Sequence, residues 1–202
     1  GAFVAYNFED FQLSDFEMHG FIDDETKKWG KTFFGYPVLG GVDEIMHLQQ
    51  KTAVVVTISN PYDKKKVISK LLPNKNIVFP SLISRYSWIS KNVFVGNGVI
   101  VYPGVSVNYH TRIEDYVIIN MNSAIGHDCH IQRFSTLAPG VSLGGFTSIG
   151  ECVDIGINAA TRQFVKIGNN SIIGGLAMVI SDLPDSITAV GVPARVIKAK
   201  NN

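Results

Sequence analysis

A chain of 202 residues with 46% apolar side chains can bury one sizeable core, or join a small domain to a larger one. Its formal charge of +1 gives no global reason to expect nucleic acid or an anionic membrane as partner. The two cysteines, Cys129 and Cys152, have no metal-ligand spacing, nothing resembles a signal peptide, and no apolar run approaches about 18 residues, so a soluble cytoplasmic protein is the default expectation.

Residues 1–75 carry no repeat. A short strand is expected over residues 17–22, ending at Asp23 and Asp24, and a short helix over 42–50. The run Ala-Val-Val-Val-Thr-Ile at 53–58 reads as a buried strand. Ser59-Asn60-Pro61 breaks it and starts a helix through 63–72, with Pro61 near the first turn. Strands alternating with helices predict a small α/β, Rossmann-like domain with a parallel sheet, and Leu72-Pro73-Asn74 places its end near residue 75. Such sheets bind ligands beyond the C-terminal ends of their strands. Asp23 and Asp24 lie at such an end and can accept hydrogen bonds from sugar hydroxyls or an amino group. Their alternative role is a helix cap or a solvated turn. No GxGxxG motif is present.

From Ile77 onward an inward aliphatic returns every six residues as far as Val179. The series has eighteen positions, and the only exception is Thr161. Ordinary strands alternate with period two and do not hold one phase for about 100 residues. The position two before each aliphatic is small or β-branched, as in Val99, Thr111, Ser123, Cys129, Ser135 and Thr147. The position after it is often glycine (Gly96, Gly126, Gly144, Gly150, Gly156, Gly168, Gly174), which suggests corners with positive φ. Three hexads per coil give a triangular prism of about six coils over residues 76–202, with residues 18 apart stacked about 4.8 Å from one another. The period does not fix the hand of the coil, and general crossover rules alone favour the right hand.

A regular prism has flat faces and no large insertion here, so a catalytic cleft requires a neighbouring copy and implies a homo-oligomer. The repeat alone does not give the number of copies. His127 and Asp128 follow Ile125 and point outward. An imidazole can serve as a general base near neutral pH, and an adjacent carboxylate can orient it. The alternative is a surface histidine at a subunit contact. Stacking by 18 puts Gly145 over His127, where its N–H could stabilise an oxyanion, and puts Tyr109 under His127. It also puts His110 beside Asp128, where the two could pair across coils. A zinc site built on His110, His127 and His130 is disfavoured because these residues fall at different hexad phases.

The run Asn122-Ser123-Ala124-Ile125-Gly126-His127-Asp128-Cys129-His130-Ile131 resembles the sugar O-acyltransferase family. So do Gly144-Gly145, Ile155-Gly156-Ile157-Asn158 and the end Gly191-Val192-Pro193-Ala194-Arg195. This family includes sialic-acid O-acetyltransferases and the N-acetyltransferases of nucleotide-linked 4-amino-6-deoxy sugars. Gly20-Phe21-Ile22-Asp23-Asp24 and Gly35-Tyr36-Pro37-Val38-Leu39-Gly40 resemble its nucleotide-sugar-binding domain, so the likeness covers nearly the whole chain. The resemblance implies a left-handed parallel β-helix, a homotrimer, and acetyl-CoA held between adjacent helices.

By the same resemblance, His127 takes a proton from the acceptor, Asp128 orients His127, and the Gly145 N–H holds the thioester oxygen. No covalent acyl-enzyme is needed. Asn158, Lys166 and Arg195, with Lys198 as a further candidate, are expected to meet the cofactor, and Asp23, Asp24 and His110 the acceptor. The sequence departs from the family's pattern twice. It opens Gly1-Ala2-Phe3-Val4, where the family commonly has a strand and a Gly-Ala-Gly-Gly loop, so the chain is truncated or its nucleotide grip is changed. Nine residues after the base it has Thr136, where some amino-sugar members carry a histidine. The leading reading is N-acetylation of a nucleotide-linked amino sugar, because paired carboxylates attract an ammonium. The alternatives are O-acetylation of a sialic acid or related sugar, acyl transfer to another small acceptor, and a non-enzymatic trimeric scaffold.

Overall fold

The computed structural model describes residues 1–11 and 16–199. From Leu82 the chain winds into a left-handed parallel β-helix whose three faces are built from two-residue rungs. The first face begins with Leu82–Ile83, the second with Trp88–Ile89 and the third with Phe94–Val95. Rungs 18 residues apart pair in register; on the second face Ser106 meets Ala124 and Ala124 meets Ser142. The six-residue aliphatics fill the interior, with Val101, Val107, Ile113, Ile119, Ile131 and Leu137 all fully buried. A hairpin of Ile187–Val190 and Arg195–Ala199 extends the first face beyond Ile172–Ile173. No helix among the described residues is long and apolar enough to cross a membrane.

The corner geometry differs from the expectation. The glycines that follow the aliphatics do not have positive φ. Positive φ falls two residues later, at every sixth position from Asn92 to Leu176, with values from +54° to +75°. Only three of those fifteen positions are glycine, so asparagine, aspartate, histidine and even aromatic residues take the left-handed conformation there. The glycines after the aliphatics are required for space. A Cβ on Gly126 would lie 2.6 Å from the Gly145 nitrogen, and one on Gly150 would lie 2.7 Å from the Asn169 nitrogen. A side chain at Gly126 or Gly150 would collide with the backbone of the next coil.

The N-terminal part is an α/β segment with less regular structure than its sequence suggests. A one-turn helix α1 (Ala2–Tyr6) and a following 3₁₀ turn pack Val4 and Phe11 against Leu82, Ile100 and Ile118 of the first face. Strands β1 (Phe21–Ile22), β2 (Thr32–Phe33) and β3 (Tyr36–Gly40) form one small sheet, with β1 parallel and β2 antiparallel to β3. Helix α2 (Val42–Ile45) is a single turn and does not run to residue 50. The strand expected over 53–58 pairs only as β4 (Thr52–Ala53), with one further bond from the Val54 N–H to the Val78 carbonyl. Its partner is β5 (Ile77–Val78), so the first in-phase aliphatic, Ile77, belongs to the N-terminal segment and not to a coil. The parallel pairing is thus divided between two small sheets.

Helix α3 (Pro61–Leu71) starts as its sequence predicts. The Asn60 side chain accepts from the Tyr62 and Asp63 N–H groups, and Pro61 occupies the first turn. Its buried stripe is Pro61, Lys64, Ile68 and Leu71, at helical spacing, so one of four inward residues is a lysine. Lys64 Nζ donates to Thr136 Oγ1 at 2.8 Å and to the Ser135 carbonyl at 3.3 Å. The Thr136 hydroxyl in turn donates to the Ser59 carbonyl at 2.7 Å. The hydroxyl of Thr136 is therefore used to seat α3 on the first face.

Candidate active site

His127 and Asp128 form the corner between the second and third faces. Their backbone puts Asp128 in the left-handed region at φ +56°, which aspartate tolerates better than most residues. That conformation turns the carboxylate back toward the preceding ring. Asp128 Oδ2 lies 2.7 Å from His127 Nδ1. The Nδ1–H therefore donates to Asp128, and Nε2 is left with a free lone pair. The other carboxylate oxygen, Oδ1, is 3.6 Å from Nδ1 of His110, one coil below. One carboxylate thus faces two imidazoles.

Rings hold His127 on two further sides. Tyr109, one coil below, stacks beneath it with centroids 5.2 Å apart and planes 11° from parallel. Phe146 meets its edge at 5.1 Å and 86°. Phe146 was not anticipated, although it lies 18 residues after Asp128 and the stacking rule places it at this corner. Above the ring, Gly145 leaves the space that Nε2 faces, and a Cβ there would come within 2.9 Å of Nε2. Among the described residues no acceptor meets the Gly145 N–H, so it is free to bind a ligand.

A groove of about 450 Å³ runs along the second face, with Gly126 and Gly144, the neighbours of His127 and Gly145, in its lining. Its floor is a strip of small side chains, Ser106, Ala124, Ser142 and Ala160, bounded at one end by Trp88. On the third face, His130 Nε2 lies 2.8 Å from Glu114 and Arg112 lies 3.5 Å from it. Burial pushes the Glu114 carboxyl up, but His130 and Arg112 outweigh it and hold it below its ordinary range. Among the described residues no group of three or more histidine, cysteine, aspartate or glutamate side chains converges as a metal site would require.

The other sequence candidates lie elsewhere on this single chain. Lys166 is exposed on the third face, two rungs beyond His130 in the same column. Asn158 sits at the corner between the first and second faces, its amide packed against Gly140. Arg195 and Lys198 are exposed in the terminal hairpin, and Arg195 donates to the Ala194 carbonyl at 3.2 Å. Asp23 is ion-paired with Lys28 at 2.8 Å, which with the Glu25 N–H lowers its pKa. Asp24 Oδ1 accepts from the Val42 N–H at 2.8 Å and caps α2. The turn-and-cap role considered for this pair describes their contacts in the chain.

A β-helix corner with an oriented histidine beside an unpartnered backbone N–H carries the groups that an acyl transfer would need. Comparisons with known proteins agree. The PglD N-terminal domain family matches residues 9–71. The GDP-perosamine N-acetyltransferase of Escherichia coli O157:H7 is 31% identical over 184 residues, covering 88% of this chain and 81% of that protein. Two solved structures share the fold. The acetyltransferase domain of PglB from Neisseria gonorrhoeae, in complex with acetyl coenzyme A, is 28% identical with a TM-score of 0.87, over 96% of this chain and 92% of that one. PerB from Caulobacter crescentus, in complex with CoA and GDP-perosamine, is 31% identical with a TM-score of 0.78, over 81% and 80% of the two chains. The chain belongs to the hexapeptide-repeat, acyl-CoA-dependent sugar acetyltransferases, in the branch that holds the nucleotide-sugar N-acetyltransferases.

Proposed function

We propose that this protein transfers an acetyl group from acetyl-CoA to the amino group of a nucleotide-linked amino-deoxy sugar, with a GDP-linked 4-amino sugar as the first acceptor to test. The observation that carries the reading is His127, whose Nδ1 is tied to Asp128 and whose Nε2 lies against the open Cα of Gly145, a residue whose N–H has no acceptor among the described residues. Nε2 takes a proton from the amine as its nitrogen attacks the thioester carbon. The Gly145 N–H donates to the carbonyl oxygen as negative charge develops there. As the carbon–sulfur bond breaks, the imidazolium returns the proton to the leaving thiolate. Asp128 keeps the ring in the required tautomer through the two transfers. The relatives bound to CoA and GDP-perosamine, or to acetyl coenzyme A, support both substrates.

His110 and the segment carrying Asp23 and Asp24 belong to the acceptor side in this proposal, and Asn158, Lys166 and Arg195 to the cofactor side. These groups lie on different corners and ends of one prism, so three copies related by a threefold axis are proposed to bring them together. The acceptor-binding segment, with Ile77–Val78 still paired inside it, precedes the β-helix that starts at Leu82, and the acetyl-CoA requirement fits a cytoplasmic protein. The test is thiol release from acetyl-CoA with GDP-, UDP- and dTDP-linked amino sugars, with free sialic acid as comparison. Turnover with a nucleotide-linked amino sugar is expected, with a loss of about 100-fold or more in His127→Ala. Unchanged turnover in that variant, or acetylation of sialic acid alone, overturns the proposal.

A further inference from the structure

Three irregularities of the β-helix converge one coil above His127. The first is Thr161, the only non-aliphatic residue in the six-residue series from Ile77 to Val179. The second concerns the small hydroxyls two positions before the aliphatics. Ser81, Thr111, Ser123 and Ser135 each donate to the carbonyl 15 residues further on, in the next coil. Thr147 occupies the same position but departs from the rule. Its counterpart carbonyl, Arg162, is 3.4 Å away, whereas the carbonyl of Gly144 in its own coil is at 2.6 Å. The third is the ladder bond from the Gly144 N–H, stretched to 3.3 Å where the equivalent bonds from Gly126 and Gly150 are 2.9 Å.

The three irregularities share one cause. The Gly144 N–H also donates to Thr161 Oγ1 at 3.1 Å, and Thr161 Oγ1 is 2.8 Å from Thr147 Oγ1. Thr147 has one hydroxyl proton, and the 2.6 Å contact to the Gly144 carbonyl takes it. Thr161 must then donate to Thr147, which closes a ring: Gly144 N–H to Thr161, Thr161 to Thr147, Thr147 to the Gly144 carbonyl. That carbonyl receives a second donor, the Cys129 thiol at 3.3 Å. Burial raises the Cys129 pKa to about 11, so the thiol keeps its proton.

The Gly144 carbonyl shares a planar trans peptide with the Gly145 N–H, and the two groups point in opposite directions. Two interior donors on the carbonyl therefore aim the N–H outward, over His127. They also polarise the amide, which makes its N–H a stronger donor. We propose that Thr161 and Thr147 are positioning residues that hold the Gly144–Gly145 peptide with its N–H directed at the reacting carbonyl oxygen. This rests on the role given to Gly145 above. It explains why a hydroxyl stands where every other position of the series has a branched aliphatic.

Thr161→Val tests it. The substitution restores the aliphatic pattern and leaves no buried donor unpaired, because the Gly144 N–H keeps its ladder carbonyl. Thr147 is then released to its regular partner 15 residues on. The expected result is a melting temperature at or above that of the natural chain, a kcat about tenfold lower and a nearly unchanged KM for acetyl-CoA. Thr161→Ser, which keeps the hydroxyl, should retain kcat within about twofold. Thr147→Val should lower kcat in the same way, and it decides the matter if Thr161→Val does not fold. The amide resonance of ¹⁵N-labelled Gly145 separates this proposal from the one beneath it. If the resonance does not respond to acetyl-CoA in the natural chain, the role of Gly145 itself fails. If it responds there and responds equally in Thr161→Val, with kcat unchanged, the positioning role fails.

Discussion

Gly145→Ala separates the needs of the chemistry from those of the fold. The added methyl would lie 2.9 Å from Nε2 of His127 and 3.0 Å from Cε1, where ordinary contact begins at 3.4 Å. The ring or the corner must give way by about half an ångström. The ring is braced, with Tyr109 stacked beneath it and Nδ1 tied to Asp128 at 2.7 Å. A swing away from the methyl loosens the Asp128 bond, and a retreat of the corner carries the Gly145 N–H away from the oxygen it should bind. Displacements of this size at reacting groups cost on the order of 100-fold, or about 2.7 kcal/mol of transition-state stabilisation. The φ of Gly145 is not in the left-handed region, so alanine adds no backbone strain, and stability should change by less than about 0.5 kcal/mol. Its neighbour gives the opposite outcome. A Cβ on Gly144 would lie 2.6 Å from the Gln163 nitrogen and 2.8 Å from the Arg162 carbonyl carbon, which are backbone atoms with no room to move. Gly144→Ala should cost roughly 1–3 kcal/mol of stability. The assays are thiol release at saturating acetyl-CoA and acceptor, and calorimetric melting. A Gly145→Ala enzyme with kcat within twofold of the natural chain would refute the placement of the reaction at His127 Nε2.

Two further outcomes are expected. Asp128→Asn keeps the side chain's size but removes the charge that holds the Nδ1–H tautomer, so kcat should fall roughly 10²-fold with little change in melting; an undiminished kcat would remove Asp128 from the mechanism. Lys64 gives a pH signature of stability. Burial lowers its pKa from 10.5 to about 7, against the opposing pull of Cys152 and Asp154. Between those two values the unfolded chain holds a proton that the folded chain has released, so stability should rise with pH from about 7 to about 10.5, by at most about 5 kcal/mol from this group. Urea melts of the natural chain and of Lys64→Met at several pH values isolate the contribution, and parallel pH dependences in the two proteins would contradict it.

The β-helix was legible because its core imposes a six-residue rule on the sequence, and stacking by 18 then followed without any structure. That rule alone put Tyr109, His110, Asp128 and Gly145 around His127. It was less informative about the corners, where glycine has two possible causes that look alike in sequence. The glycines after the aliphatics suggested positive φ, whereas the left-handed residue lies two positions later and accepts Phe134, Phe146 and Phe164. A bulky residue in that conformation costs only about 1–2 kcal/mol, which the stacking of Phe146 on Phe164 at 4.7 Å helps to offset. A Cβ inside the backbone of the next coil has no comparable remedy, so the glycine signal marks the steric contact and leaves the turn unmarked.

The N-terminal segment was less legible for a different reason. Its strands are two to five residues long, and much of its order comes from the prism, through Val4, Phe11 and Lys64 on the first face and Ile68 on the corner residues Tyr116, Phe134 and Cys152. A local pattern cannot reveal such contacts. Lys64 stands in a run of three lysines, yet it is buried, and Thr136, 72 residues away, supplies an acceptor for it. That one contact also gives the departure at Thr136 a physical meaning. Its hydroxyl is committed to Lys64 on one side and to Ser59 on the other. Ser59 directly precedes the Asn60 cap of α3. Thr136 therefore acts first on the seating of the N-terminal segment. Its effect on the acetyl group, if the acceptor proposal holds, reaches His127 only through that seating.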